Sequence, residues 1–160
     1  MAGRLLRSRG LHLAVAESCT GGLIGHLITN VPGSSTYYLG SVTAYAYEAK
    51  VRLLGVRWET LEKYGAVSKE TVLEMARGVR TALAADIGLS VSGIAGPGGG
   101  TPDKPVGLVW IGLSAEQVDE AWRNIWPGDR LQVKEQSAQA ALQMLVDYLE
   151  SNGRPVSGDR

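Results

Sequence analysis

The chain has 160 residues, 44% of them apolar, which is enough for one domain with a sizeable hydrophobic core. Lys and Arg together number 16, as do Asp and Glu, so the sequence lacks the basic excess of nucleic-acid-binding domains. It has one cysteine, two histidines and no apolar run of membrane-spanning length. We therefore expect a cytoplasmic protein with no internal disulfide, no metal site, and neither nucleic acid nor membrane as a partner.

The first half of the chain predicts two strands, each followed by helices. Apolar runs predict the strands, and helical spacing with glycine or serine at the ends predicts the helices. In chain order the predicted elements are helix Ala2–Arg9 ended by Gly10, strand 11–15, helix 20–30 with Ser18 near its N-cap, strand 39–45, helix Tyr47–Leu54 and a short helix at 57–64.

The second half predicts three strands between two long helices. The predicted elements are a helix from Ser68 to about residue 85, strand 89–94, a loop at 95–105, strand 106–114, an edge strand at 119–126 and helix 130–149, before a flexible tail at 151–160. This order predicts a single α/β domain over residues 1–150. We expect a three-layer α/β/α sandwich with a mixed, mostly parallel sheet.

Residues 17–22 between the first strand and its helix combine an acid, two nucleophile-capable side chains, a threonine and two glycines. Ser18 is either the N-cap of the helix or a nucleophile. Cys19 is a rival nucleophile or a small buried apolar side chain. The backbone N–H groups suited to hold an oxyanion at the helix start belong to Thr20, Gly21 and Gly22.

A serine nucleophile needs a base, and Lys50 is the candidate because it follows the next strand within an apolar stretch. The carboxyl ends of neighbouring parallel strands lie at one edge of a sheet, so Lys50 and Ser18 can meet there. A solvated helix lysine is the alternative. Tyr45 lies at the end of the same strand. Its side chain either positions the substrate or relays a proton, or it packs in the core.

Residues 93–104 form a second glycine-rich segment after a strand. Its successive N–H groups can bind an anion, although a plain surface loop is an equal alternative. Arg130 at the start of the last helix either binds a phosphate or carboxylate or pairs with a neighbouring acid. Trp110, Trp122 and Trp126 are core or interface residues, and the position of Trp122 and Trp126 on one face of the predicted edge strand would suit a contact between subunits.

Five sequence motifs, in this order, resemble the CinA C-terminal domain family over about residues 5–150. They are Ala-Glu-Ser-Cys-Thr-Gly-Gly at 16–22, Tyr45 with Glu-Ala-Lys at 48–50, Leu-Leu-Gly-Val at 53–56, Gly-Ala-Val-Ser at 65–68, and Gly-Ile-Ala-Gly-Pro-Gly-Gly at 93–99 with Lys-Pro-Val-Gly at 104–107. The family is that of bacterial nicotinamide-mononucleotide deamidases, which convert nicotinamide mononucleotide to nicotinate mononucleotide and ammonia in pyridine-nucleotide recycling.

The resemblance implies an amidohydrolase with Ser18 as nucleophile and Lys50 as base, with no cofactor or metal, and we add Tyr45 to the catalytic set. The resemblance also implies residues that bind the nucleotide substrate, namely Gly96, Gly98, Gly99, Thr101 and Arg130. We place Glu17 near the positively charged ring of the substrate. The alternative from another class is a non-catalytic nucleotide-binding or regulatory module linked to competence or DNA damage.

Two dipeptides depart from the family pattern: Ala46-Tyr47 replaces Ser-Asn, and Val133-Lys134 replaces Ile-Arg. Larger relatives carry an N-terminal domain linked to pyrophosphatase activity, which this sequence does not contain, so we do not expect that activity. We expect a homo-oligomer, with a dimer favoured over a trimer.

Overall fold

A computed structural model describes residues 1–151, which form an α/β domain with a five-stranded sheet. The elements are α1 (Ala2–Arg9), β1 (Leu13–Glu17), α2 (Leu23–Thr29), a 3-10 turn (Ser34–Thr36), β2 (Tyr38–Thr43), α3 (Tyr47–Leu54), α4 (Trp58–Tyr64), α5 (Lys69–Ala82), β3 (Ile87–Gly93), β4 (Leu108–Ser114), β5 (Asp119–Ile125) and α6 (Arg130–Glu150). The tail predicted at 151–160 lies, apart from Ser151, outside the described residues.

The strand order is β2-β1-β3-β4-β5. Strand β1 pairs in parallel with both β2 and β3, and the two remaining pairings are antiparallel. Four of the five strands therefore run in one direction, as expected for a mixed, mostly parallel sheet. The loops leaving β1 and β3 diverge toward opposite edges, and the crevice between such loops is the usual ligand site of an open α/β sheet.

The two faces of β1 bury different side chains. Leu13 and Val15 face α1, α2 and α6, whereas Ala14 and Ala16 face α3, α4 and α5. The domain is thus the three-layer sandwich that the element order predicts.

Small residues let α5 lie close to the sheet. A Cβ on Gly88 would lie 2.0 Å from the Ala76 carbonyl oxygen, and one on Gly112 would lie 2.6 Å from that of Val72. A Cβ on Gly78 of α5 would lie 1.7 Å from the carbonyl oxygen of Leu54, the last residue of α3. These glycines therefore allow α5 to pack closely on the sheet and α3, which carries Lys50, to pack closely on α5.

One predicted helix start is wrong. Helix α2 begins at Leu23, not at residue 20, and its N-cap is Gly22, not Ser18. The cause is the backbone, because Gly21 (φ 61°) and Gly22 (φ 103°) adopt left-handed conformations that cannot continue a helix. Ser18 therefore lies in a loop between β1 and α2, where no helix-capping role occupies its hydroxyl.

The helix predicted to run to about residue 85 also ends early, at Ala82. Ala84 has φ 51°, which is incompatible with a right-handed helix.

Candidate active site

Ser18 and Lys50 meet at the carboxyl end of the parallel strands. Ser18 directly follows β1, and α3 brings Lys50 back over the end of β2. The Lys50 Nζ lies 2.9 Å from Ser18 Oγ, 2.8 Å from the Ala44 carbonyl oxygen and 3.0 Å from that of Tyr45. The lysine side chain is 1% exposed, so the solvated-lysine alternative does not apply.

Burial lowers the pKa of Lys50 from 10.5 to about 8, with a smaller opposing effect from Cys19. A neutral amine has two N–H groups and one lone pair. The carbonyls of Ala44 and Tyr45 accept both N–H groups, so the lone pair is directed at the Ser18 hydroxyl. In that state the hydroxyl donates to Lys50 Nζ, which is the geometry of a general base with its nucleophile.

Cys19 is a thiol at neutral pH. Burial raises its pKa to about 11, against weaker lowering by its own backbone N–H and by Lys50 and Lys134. The thiolate that nucleophilic attack requires is therefore scarce, which favours Ser18 over Cys19.

Glu17 holds the start of α2. Its Oε1 accepts hydrogen bonds from Thr20 Oγ1 (2.7 Å) and the Ile24 N–H (2.9 Å), and its Oε2 accepts from the Gly25 N–H (3.1 Å). The carboxylate is fully buried on the α2 side of the sheet. The structure thus places Glu17 as a support for the loop, apart from the Ser18 hydroxyl, and not on the cavity where we expected the substrate ring.

The loop after β1 retains backbone donors. The Gly21 N–H donates to the Ser18 carbonyl oxygen at 3.1 Å, which closes a turn. Within residues 1–151, no acceptor takes the N–H groups of Thr20 or Gly22. Both groups are available to an oxyanion formed next to Ser18, although neither Thr20 nor Gly22 is among the residues that line the cavity.

Ser18 and Lys50 open into a cavity of about 170 Å³. Its lining residues are Ser18, Cys19, Tyr45, Lys50, Ala66, Val67, Ser92, Gly93, Ala95 and Arg130. Of these, Ala66, Val67 and Ser92 were not predicted at the site from the sequence, and Gly93 and Ala95 were predicted there only as part of the glycine-rich segment 93–104. Four of these five lie in motifs that carry the family resemblance; Ser92, the last residue before one of them, had no local signal.

Arg130 and Tyr45 form the outer wall of this cavity. The Arg130 guanidinium donates to the Gly96 carbonyl oxygen (2.7 Å) and to the Tyr45 hydroxyl (3.1 Å). Tyr45 is 63% exposed, so it is not a core aromatic. Its carbonyl oxygen, not its hydroxyl, contacts Lys50.

The rest of the second glycine-rich loop lies away from the cavity. Gly98, Gly99 and Thr101 are exposed and do not line it. The Thr101 N–H donates to the Lys104 carbonyl oxygen at 2.7 Å, and the Thr101 hydroxyl accepts from the Lys104 N–H at 3.0 Å. Of the four loop residues predicted at the nucleotide, the structure joins only Gly96 to the site, through Arg130.

Larger cavities lie elsewhere in the described chain, but their lining residues do not pair a serine or cysteine with a buried lysine. A cavity of about 450 Å³ between α1, α2 and α6 is larger, but mainly apolar side chains line it. In residues 1–151 we find no cluster of histidine, cysteine and acidic side chains that could hold a metal ion. No helix in that part of the chain is both long and apolar enough to cross a bilayer. Trp122 and Trp126 pack against the core on the α6 side.

Comparison with known proteins identifies relatives over nearly the whole chain. CinA-like proteins of Thermotoga maritima and Salinibacter ruber are 49% and 52% identical over 94% and 88% of this chain. The alignments cover 37% and 34% of those proteins, so the chain spans about a third of the length of the curated relatives it matches.

Solved structures share the fold. The crystal structure of a competence-damaged protein (CinA) superfamily protein from Klebsiella pneumoniae has a TM-score of 0.90 at 36% identity, with 94% of each chain covered. The competence/damage inducible protein CihA from Agrobacterium tumefaciens has a TM-score of 0.86 at 37% identity, with 93% of this chain and 95% of that chain covered. The sequence model of the CinA C-terminal domain matches residues 1–149. With that match over almost its entire length, this chain belongs to the CinA C-terminal domain family.

Proposed function

We propose that this protein is a serine–lysine amidohydrolase that converts nicotinamide mononucleotide to nicotinate mononucleotide and ammonia. The observation that carries the proposal is the 2.9 Å contact between Ser18 Oγ and the buried Lys50 Nζ. Two carbonyl groups occupy the remaining donors of that amine, which leaves proton abstraction from Ser18 as its available chemistry.

The reaction begins when neutral Lys50 takes the proton of Ser18 and the serine oxygen attacks the carboxamide carbon. The N–H groups of Thr20 and Gly22 stabilise the oxyanion of the tetrahedral intermediate. Protonated Lys50 then gives its proton to the leaving nitrogen, the C–N bond breaks, and ammonia departs from an acyl-Ser18 ester. A water molecule, deprotonated by Lys50, attacks the ester, and the proton returns to Ser18 as the carboxylic acid leaves.

The choice of substrate rests on the family resemblance and on the shape of the site. A cavity of about 170 Å³ has the volume of roughly six water molecules, which suits a flat ring with its carboxamide better than a whole nucleotide. The ribose and phosphate then extend past Arg130 toward solvent.

Ammonia release from nicotinamide mononucleotide tests the proposal. The Ser18→Ala variant is expected to lose about 10⁴-fold or more in kcat, because the acyl-enzyme cannot form. Ser8→Ala is the matched control, since Ser8 lies on the exposed side of α1 and bonds only the Leu5 carbonyl oxygen. Cys19→Ala is expected to keep its activity, because the Cys19 thiol is protonated at neutral pH.

Other outcomes identify the alternatives. Binding of nicotinamide mononucleotide without ammonia release from the wild-type protein would contradict the amidohydrolase and favour the non-catalytic module. Full turnover by Ser18→Ala, with loss in Cys19→Ala, would keep the reaction but transfer the nucleophile to the cysteine.

A further inference from the structure

One wall of the catalytic cavity consists of Ala66 and Val67, which lie between α4 and α5. Neither residue belongs to a helix or a strand, so the position of this wall depends on side chains that bind the backbone around it. On the α5 side, the Gly65 carbonyl oxygen accepts hydrogen bonds from the hydroxyl groups of Ser68 (3.0 Å) and Thr71 (2.7 Å). These bonds hold the residue before the wall.

Tyr47 binds the wall itself. It is the first residue of α3, and its hydroxyl accepts a hydrogen bond from the Ala66 N–H at 3.3 Å. Lys50 follows three residues later, and residues at that spacing are neighbours on a helix surface. A single helix therefore carries both the base of the proposed reaction and a support for the wall next to it.

The ring of Tyr47 is itself held in place by Trp58, the first residue of α4. The two ring centroids lie 6.4 Å apart with an angle of 52° between the planes, an arrangement within the range of favourable aromatic pairs. This contact limits the movement of the Tyr47 ring and keeps its hydroxyl near Ala66.

The tyrosine is particular to this chain, because the family pattern has asparagine at position 47. An asparagine side chain is several ångströms shorter than that of tyrosine, so it ends short of the point that the Tyr47 hydroxyl occupies. The hydrogen bond from α3 to the wall is therefore a feature of this sequence and not of the family pattern.

We infer that Tyr47 is a positioning residue that fixes the Ala66 wall and thereby limits the size of the ring that the cavity accepts. This inference rests on the proposed function, which places the pyridine ring of the substrate beside Ser18. A cavity of about 170 Å³ has little room beyond such a ring and its carboxamide. A fixed wall excludes a further group on the ring, whereas a wall that yields admits it.

The test compares nicotinamide mononucleotide with its 5-methyl analogue, which carries one more methyl group on the ring. The wild-type protein is expected to prefer the unmethylated substrate at least about tenfold in kcat/KM. Tyr47→Phe keeps the aromatic contact with Trp58 but removes the acceptor of the Ala66 N–H, so this preference should fall to about threefold or less. For nicotinamide mononucleotide itself, KM should rise about 2- to 10-fold, the range for one neutral hydrogen bond, with kcat nearly unchanged.

Two controls separate positioning of the wall from other effects. Tyr64→Phe makes the same change at an exposed tyrosine at the end of α4, whose hydroxyl has no hydrogen bond within residues 1–151, and should leave both substrates unaffected. In Tyr47→Phe, kcat/KM should keep the pH dependence of the wild-type protein, because the contacts of Lys50 are not altered.

Four results would overturn the inference. An unchanged preference in Tyr47→Phe would show that the hydrogen bond does not fix the wall. Equal losses on both substrates would show that Tyr47 only supports the fold. A shifted pH dependence would show that it acts on Lys50. A wild-type protein without a preference between the two substrates would show that the ring does not meet this wall.

Failure of the amidohydrolase proposal is distinguishable from failure of this inference. If the wild-type protein releases no ammonia, the same variants are titrated calorimetrically with both compounds. Tighter binding of nicotinamide mononucleotide than of its 5-methyl analogue, weakened in Tyr47→Phe and kept in Tyr64→Phe, supports the inference without turnover. Absence of that preference, or of any binding, contradicts it.

Discussion

Two glycine-rich loops follow neighbouring strands of the sheet and end up with different contacts. In the loop after β1, two consecutive glycines take left-handed conformations, and the N–H groups of Thr20 and Gly22 have no acceptor in residues 1–151. In the loop after β3, Thr101 and Lys104 bond to each other, and the Lys104 ammonium donates to the Tyr64 carbonyl oxygen. The first loop keeps its donors for a ligand, whereas the second closes on itself.

The difference shows that glycine content alone does not locate an anion site. Glu17 explains why the first loop stays open, because its carboxylate accepts the first N–H groups of α2 and anchors the loop from the side opposite the cavity. The second loop has no such buried carboxylate, and it is held by the turn between Thr101 and Lys104 and by the contacts of Lys104 with Tyr64 and of Gly96 with Arg130. We therefore expect substitutions in and around the first loop to affect catalysis, and those in the second loop to have little effect.

The largest of these effects is expected from removing Lys50, the base that takes the proton of Ser18 in the first loop. Lys50→Met should lower kcat by about 10²–10⁴-fold, the usual contribution of a general base. The protein should still fold. The variant leaves the Ala44 and Tyr45 carbonyl groups without their donor, but it also no longer buries an ammonium group, and these two effects on stability oppose each other. We therefore expect the free energy of unfolding to change by less than about 2 kcal/mol. Ammonia release and urea unfolding measure the two effects. A Lys50→Met variant with full activity would show that Ser18 does not need Lys50 as its base.

The pH profile tests the same base without substitution. Because burial lowers the pKa of Lys50 to about 8, the neutral fraction rises as pH increases through that value. We expect kcat/KM to increase about 50-fold from pH 6 to pH 8 and then to level off. The profile is measured by ammonia release at constant ionic strength. A flat profile between pH 6 and pH 9 would contradict Lys50 as the base.

Matched alanine substitutions in the two loops give a smaller effect. Gly22→Ala places a side chain at φ 103° and should lower the free energy of unfolding by about 1–3 kcal/mol, with roughly a tenfold loss of kcat/KM as the N–H groups shift. Gly98→Ala meets nothing within 4 Å and its φ is not left-handed. It should leave kcat/KM within about twofold. Equal effects of the two variants, in kinetics and urea unfolding, would remove the distinction between the loops.

The element order indicated that Ser18 and Lys50 can meet, because both follow neighbouring parallel strands, but it left a solvated Lys50 open, and only the family resemblance assigned the pair to catalysis. It could not predict the direction of the Glu17 carboxylate, since both faces of β1 are buried and strand alternation does not say which face borders the site. Nor could it distinguish a cap from a nucleophile at Ser18, which depended on the φ values of the next two glycines. Ser92 was missed because its place at the cavity depends on the strand register.

The smallest effect is expected at Thr101, for which the family resemblance implies a position at the nucleotide. Thr101→Ala removes the acceptor of the Lys104 N–H in an exposed turn, which should lower the free energy of unfolding by about 1 kcal/mol or less. The KM for nicotinamide mononucleotide should stay within about twofold, and Thr101→Ser, which keeps the hydroxyl, is the control. A tenfold higher KM in Thr101→Ala, restored in Thr101→Ser, would mean that the turn opens to bind the substrate. The second loop would then be part of the nucleotide site.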